Sequence, residues 1–396
     1  MANLTSFKQA DRWTLWRNLI AVMMALAAVH IFGRFIYTPL LPYFIADGLY
    51  TLEQGADLAS MNYLGYLLGA LLAVACASPR WIKPALLISL LINVASTAWQ
   101  CLSVSFDVMM ALRLVNGITN GVVFVLAPAL MLEWLHEQGY AHLSGYMYLG
   151  VSAGLVASGF VAAWSSAYFV GSHRWLPALA FALVFGAVAF YQLYRLQVNF
   201  AVMPDQAKSP KPAQPLFDKR SSLLFLAYLG GGLGYILPMT FLPTLAHLIH
   251  KNHWLNPHIW TMVAVSCLLF TPVWNRLGSR IGDKMAIVVS YVIQGVGVGA
   301  LLLLPNVMGV VLCALGVGAG FLGSVMCTQR YARHLQPAQG IKLSAVLIAI
   351  YAGAQLLAPL LAKWWIAQGA DLLATFAIGF WAFVWSVLCM LCIKDT

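Results

Sequence analysis

Gly33-Arg34-Phe35-Ile36-Tyr37-Thr38-Pro39-Leu40-Leu41-Pro42 sets a guanidinium in the second half of the first long apolar run. A fixed charge in hydrocarbon costs at least ~2.5–3.5 kcal/mol on an insertion scale. Arg34 therefore faces a partner, a packed interior or a water-filled path, and not lipid. His30 lies one helical turn earlier, so a regular helix puts both side chains on one face. That face reads as the wall of a polar path through a membrane bundle.

The stretch is echoed about two hundred residues later. Gly234-Tyr235-Ile236-Leu237-Pro238-Met239-Thr240-Phe241-Leu242-Pro243 repeats the glycine, the closing Leu-Pro and the spacing between them. At nearly the same offset, Ser78-Pro79-Arg80-Trp81-Ile82-Lys83 matches Gly278-Ser279-Arg280-Ile281-Gly282-Asp283-Lys284, each a basic link between apolar runs. Two echoes at one offset predict a duplicated half.

Composition agrees. The chain is 62% hydrophobic and 9% charged, against about 25% charged in a soluble domain. Its 396 residues suffice for about twelve helical spans with short links. The expected fold is an all-α membrane protein of twelve transmembrane helices in two six-helix halves. Residues 1–18 form a polar N-terminus, 19–194 the first half, 195–222 a proline-rich basic linker, 223–392 the second half and 393–396 a tail. The first apolar run is too long for a cleavable signal peptide.

The net charge of +10 has a topological origin. With the N-terminus inside, only Arg174, Lys251 and Lys363 of the 22 Lys and Arg residues fall outside, and Arg34 and Arg113 lie within spans. That bias predicts both termini in the cytoplasm. It reads as orientation and anionic-lipid contact, and not as nucleic-acid binding. All seven cysteines sit in or at the ends of apolar runs, as packing residues do.

Arg113-Leu114-Val115-Asn116-Gly117-Ile118-Thr119-Asn120-Gly121 places a guanidinium and two amides, Asn116 and Asn120, along one helix face. Arg113 either meets cargo or hydrogen-bonds a neighbouring helix end. No carboxylate sits mid-span: Asp57, Asp107 and Asp371 lie near outer ends and Glu133 near an inner end. Two interior arginines without such an acid favour an anionic or neutral polar solute. Asp57 is the expected ion-pair partner of Arg34, in a structural or gating role. His30 is the mid-span candidate for proton coupling, since an ordinary imidazole titrates near ~6.5, with plain packing as the alternative. Tyr37, Asn62, Tyr63, Tyr228, Tyr235, Thr240, Gln294, Tyr351 and Gln355 are further mid-span polar groups, able to bind a solute or satisfy one another.

Glycine-rich runs such as Gly65…Gly69 and Gly316 to Gly323 read as faces for close helix contact. His247, His250, His253 and His258 cluster at one link and read as surface histidines sooner than as metal ligands. HExxH and Walker patterns are absent from the sequence, so neither an enzyme nor a cofactor is expected.

These residues resemble the major facilitator superfamily over the whole chain. Arg113-Leu114-Val115-Asn116-Gly117 is similar to its span-4 pattern. The link from Asn275 to Lys284 resembles its inter-span basic motif, departing at the first glycine (Asn275) and at the acid (Ser279). The stretches from Gly33, from Asn62 to Gly69 and from Gly234 look like the YbfB/YjiJ branch. The resemblance implies a bacterial inner-membrane location and alternating access between two halves around a cavity lined by spans 1, 4, 7 and 10. It also implies gating at the links, where Arg80, Arg276 and Arg280 stand. The expectation is a monomeric secondary transporter for a small polar or anionic solute, exporting it in exchange for protons. Arg34, Arg113, Tyr37, Asn116, Tyr235 and Gln355 are its expected contacts. Efflux of lipophilic drug-like compounds and a non-transporting sensor on the same fold are the alternatives.

Overall fold

The computed structural model describes residues 11–76, 79–198, 217–251, 253–335 and 340–394. Most of the expected N-terminal segment, most of the linker with Lys208 and Lys211, and the last two tail residues lie outside the described residues. What is described is helical. The first helix, α1, runs Arg12–Ala46. Then follow α2 (Leu52–Ala75), α3 (Pro79–Gln100), α4 (Phe106–Glu137), α5 (Leu149–Tyr168), α6 (Leu176–Arg195), α7 (Lys219–Ile249), α8 (Ile259–Ile281), α9 (Asp283–Leu303), α10 (Val307–Leu335), α11 (Gly340–Ala367) and α12 (Leu372–Cys392). Eleven helical stretches among the described residues are long and apolar enough to cross a membrane. The helix outside that set is α2.

The helices do not bury themselves equally. In α1, α4, α7 and α10 the most apolar windows are 83%, 67%, 78% and 78% buried, and no other window exceeds 56%. Those four helices form the centre of the bundle, and the rest offer apolar faces outward. Packing partners recur with an offset of six helices. The pairs α2–α4, α3–α4, α1–α6 and α3–α6 reappear as α8–α10, α9–α10, α7–α12 and α9–α12. Three further contacts join the first six helices to the last six: α2 with α11, α5 with α8, and the end of α1 with α7.

Glycine makes the tightest of these interfaces possible. A Cβ on Gly65 would run into the Leu114 carbonyl, one on Gly69 into that of Ile118, and one on Gly117 into that of Asn62. The α2 and α4 backbones touch directly there, as the small-residue spacing predicts.

One departure from helical regularity bears on the site. From Ala27 to Phe35, α1 is a π-helix. Its register is set by Ile36 N donating to Ile31 O, five residues back, at 2.8 Å. The Gly33 carbonyl of this stretch also accepts from Arg113 Nη1 at 3.1 Å. Wide turns of this kind concentrate at functional sites.

Candidate functional site

Arg34 issues from the π-segment into the middle of the bundle, where it is 2% exposed. Its Nη2 donates to Gln355 Oε1 on α11, and Gln355 Nε2 donates to the Tyr235 hydroxyl on α7 at 2.7 Å. The guanidinium lies over the rings of Tyr66, Tyr63 and Phe35, with centroids at 4.4, 4.9 and 5.2 Å. Such contacts stabilise a desolvated cation by up to ~2 kcal/mol. They do not replace hydrogen bonds, and Arg34 Nε and Nη1 are buried without a partner. The expected Arg34–Asp57 pair does not form. Asp57 belongs to the rim, where it pairs with Lys363 of α11 at 2.8 Å, and an amide holds the guanidinium in its place.

A second bond crosses the same layer. The hydroxyls of Tyr63 on α2 and Thr240 on α7 are 2.6 Å apart, and Thr240 donates onward to Ile236 O. Four rings from α7, α10 and α11 stack beside them. Phe321 and Tyr235 are 4.8 Å apart at 11°, Tyr235 and Tyr351 5.1 Å at 14°, and Tyr351 and Tyr228 4.4 Å at 23°. Arg34, Tyr235 and Gln355, three of the expected contacts, are thus brought together. Tyr66, Phe35 and Phe321 complete the layer and were not anticipated. Tyr63 and Tyr66, three residues apart on one helix face, held a signal for it.

The other expected contacts lie elsewhere. Arg113 is as buried as Arg34. It donates to Gly33 O and sits over Tyr37 at 4.6 Å and Trp175 at 5.7 Å, all within the first six helices. Tyr37 donates to Gly55 O at 2.8 Å. Asn116 turns to α3, donating to Ser96 Oγ and Thr97 Oγ1. His30 Nδ1 donates to Asn120 Oδ1 at 3.0 Å while its ring stacks on Phe124 and meets Phe35 edge-on. His30 and Arg34 are neighbours that engage different helices: one α4, the other α11.

The two rims carry different polar contacts. At the rim where α1 ends, Lys363–Asp57 joins α11 to α2, and Trp260 Nε1 of α8 donates to Ser158 Oγ of α5 at 2.9 Å. Asp47 beside it accepts from Arg174 Nε and Nη2 at 2.6 and 2.8 Å and from Gly171 N. These bonds hold its carboxyl below the usual carboxylate range, against the opposing effect of burial. At the opposite rim Arg276 and Arg280 are exposed, and Arg80 is exposed beside the Trp81 ring. The link there is clamped by Arg330 of α10, which donates to Asp283 Oδ1 and to Asn275 Oδ1. The acid of the link therefore acts four residues after the position where the family pattern has it. Among the described residues no group of three His, Cys, Asp or Glu side chains comes together to hold a metal ion.

The likeness to known proteins follows this architecture. A solved structure of the nucleoside transporter NupG, in a point-mutant form, superposes with a TM-score of 0.70 at 16% identity, covering 97% of this chain and 99% of that one. At that identity the likeness is one of fold. No curated protein sequence matches the chain. Residues 24–391 match the family model described as "Uncharacterised MFS-type transporter YbfB". The chain belongs to that family of multi-pass membrane transporters and is not an enzyme.

Proposed function

We propose that this protein moves a small anionic solute across the bacterial inner membrane by alternating access, rocking the six-helix halves 19–194 and 223–392 about Arg34. Recurrence of the helix pairings at an offset of six supports the two halves, and α2, buried against α4, serves as the twelfth span. The Lys and Arg bias supports cytoplasmic termini. The single observation that carries the cargo class is a buried guanidinium with, among the described residues, no carboxylate partner and two nitrogens, Nε and Nη1, without a hydrogen bond. An uncompensated charge at this depth is costly, and an anionic solute supplies the missing counter-charge.

In this reading Arg34, Tyr235 and Gln355 contact the solute, with Tyr63 and Thr240 beside them. Arg113, Tyr37 and Asn116 support the wall behind. A neutral nucleoside, the kind of solute named for the structural neighbour, would leave Arg34 unanswered. Asp57–Lys363 and the links at Arg80, Arg276 and Arg280 act as gates. Export exchanges for protons through His30, which bonds Asn120 of α4 and meets Phe35 of the layer edge-on.

Protein reconstituted in proteoliposomes tests this. Counterflow of small carboxylates, lost in Arg34→Ala, is the expected result, with solute-driven proton movement lost in His30→Gln. Exchange of lipophilic cations that survives Arg34→Ala would overturn the anionic reading and point to drug efflux.

A further inference from the structure

Resting on the anionic-solute reading, we propose a narrower cargo: a planar aromatic monocarboxylate. Its carboxylate displaces the Gln355 amide oxygen from Arg34, and its ring joins the tyrosine stack.

Three observations lead there. The first is the use of the guanidinium. The Tyr66 and Tyr63 rings lie 4.4 and 4.9 Å from its central carbon, and a carboxylate reaches it through its N–H groups. Nε and Nη1 are idle, and Nη2 is occupied by an amide oxygen. That oxygen is neutral, and a carboxylate makes the stronger, charge-assisted bond. Gln355 Oε1 thus holds the place of a carboxylate oxygen in the solute-free protein. Its release frees Nη2 to act with Nη1 or Nε as a two-pronged donor.

The second is what Gln355 also touches. Its other amide atom reaches the Tyr235 hydroxyl, and Tyr235 lies inside the near-parallel run Phe321–Tyr235–Tyr351–Tyr228. The guanidinium belongs to the first six helices and the ring run to the last six. Phe35, next to Arg34, meets Phe321 edge-on at 6.3 Å. When α1 withdraws, the face of the run is uncovered beside the charge. A flat ring stacks there, and a saturated ring of equal size does not. A ligand with a carboxylate at one end and a flat ring at the other touches both sets of helices and draws them together.

The third is the count of charges. Arg113 donates to Gly33 O and is enclosed by Tyr37 and Trp175, so its unpartnered Nε is shut within the first six helices, away from the ring run. A second carboxylate on the cargo would be buried without a cation, at high cost. One carboxylate fits and two do not.

The test uses full-length protein in lipid nanodiscs and measures equilibrium binding of benzoate, cyclohexanecarboxylate, benzamide and phthalate. Benzoate is expected to bind saturably and cyclohexanecarboxylate about 5–10-fold more weakly. Benzamide and phthalate fall roughly 30-fold or more below benzoate. Phe321→Leu, at the end of the run that Phe35 covers, brings benzoate down to the level of the saturated acid. Arg34→Lys keeps the charge, loses the planar fork and weakens both acids. Equal binding of the two acids, still dependent on Arg34, overturns the planar cargo and leaves the anionic transporter standing. Phthalate binding as tightly as benzoate overturns the single-carboxylate requirement. If none of the acids binds to monodisperse, cooperatively melting protein, the inference falls. If neutral solutes are then exchanged independently of Arg34, the anionic reading falls with it.

Discussion

Arg34 and Arg113 are the same residue type, equally buried, each in a helix at the centre of the bundle and each without a carboxylate. They differ in where their partners stand. Arg113 bonds Gly33 and lies over Tyr37 and Trp175, all within the first six helices. Arg34 bonds Gln355 of α11, across the boundary that α2–α11, α5–α8 and α1–α7 contacts define. A rigid-body motion of one set of helices against the other leaves the first arrangement intact and must break the second. Burial and charge mark both residues, and the location of the partner separates wall from working site.

The largest expected effect tests the Arg34 side. Arg34→Gln should reduce solute binding and counterflow by roughly 100-fold while the melting temperature in detergent stays near that of the parent. The Arg113 side should respond in the opposite sense. Arg113→Ala leaves the Gly33 carbonyl without its side-chain donor and opens a void between α1 and α4, at a cost of about 2–4 kcal/mol. Solute affinity in the surviving folded protein should change by less than about threefold. Intact stability with abolished counterflow in Arg113→Ala would erase the distinction.

The sequence made the local part of this legible and not the relational part. Gly65 and Gly69 announced a close helix contact, because a four-residue spacing defines a face whatever the neighbour is. Arg34, Tyr235 and Gln355 stood out because polar groups are costly in an apolar run. The π-segment was invisible to a reading in regular helical turns, and it sends His30 to α4 and Arg34 to α11. Asp57 was assigned to Arg34 because both belong to early spans, and its actual partner Lys363 is brought to it by α2–α11 packing. The Arg330–Asp283 clamp went unread for a similar reason: the motif departs at Ser279, and the acid that works lies one turn on, against a different helix.

A third arginine serves as a control for the first two, because it does have an acid. Arg174 grips Asp47 with two N–H groups, and the side chains are 7% and 11% exposed. Arg174, with Gly171 N–H, depresses the Asp47 carboxyl in the folded protein. Its contribution to stability is therefore complete above the ordinary carboxylate value and is lost as pH falls through the depressed one. Asp47→Asn should cost about 1.5–3 kcal/mol at neutral pH. It should also flatten the loss of stability between roughly pH 5 and pH 3. Arg34→Gln and Arg113→Ala should leave that acid limb unchanged, since neither arginine has a carboxylate to protonate.

The smallest effect concerns the rim pair Lys363–Asp57. The two side chains are 43% and 33% exposed, and an ion pair so well solvated contributes about 0–1 kcal/mol. Its removal should hardly move a melting curve. Yet the pair joins α11 to α2 across the boundary that Arg34 also bridges, so all of that small energy bears on whether this rim is shut. A bias of about 0.5 kcal/mol changes the ratio of open to closed forms about twofold. In a background with the seven native cysteines replaced by alanine, Lys363→Met should therefore raise the maleimide labelling rate of a single cysteine placed by Tyr43→Cys by about that factor, and Asp57→Lys combined with Lys363→Asp should restore it. Near ~0.5 M salt, screening should remove the difference. A labelling rate indifferent to all of these would show that the pair crosses the boundary without helping to shut this rim, and leave Arg34–Gln355 and Tyr63–Thr240 to hold the halves together from the centre.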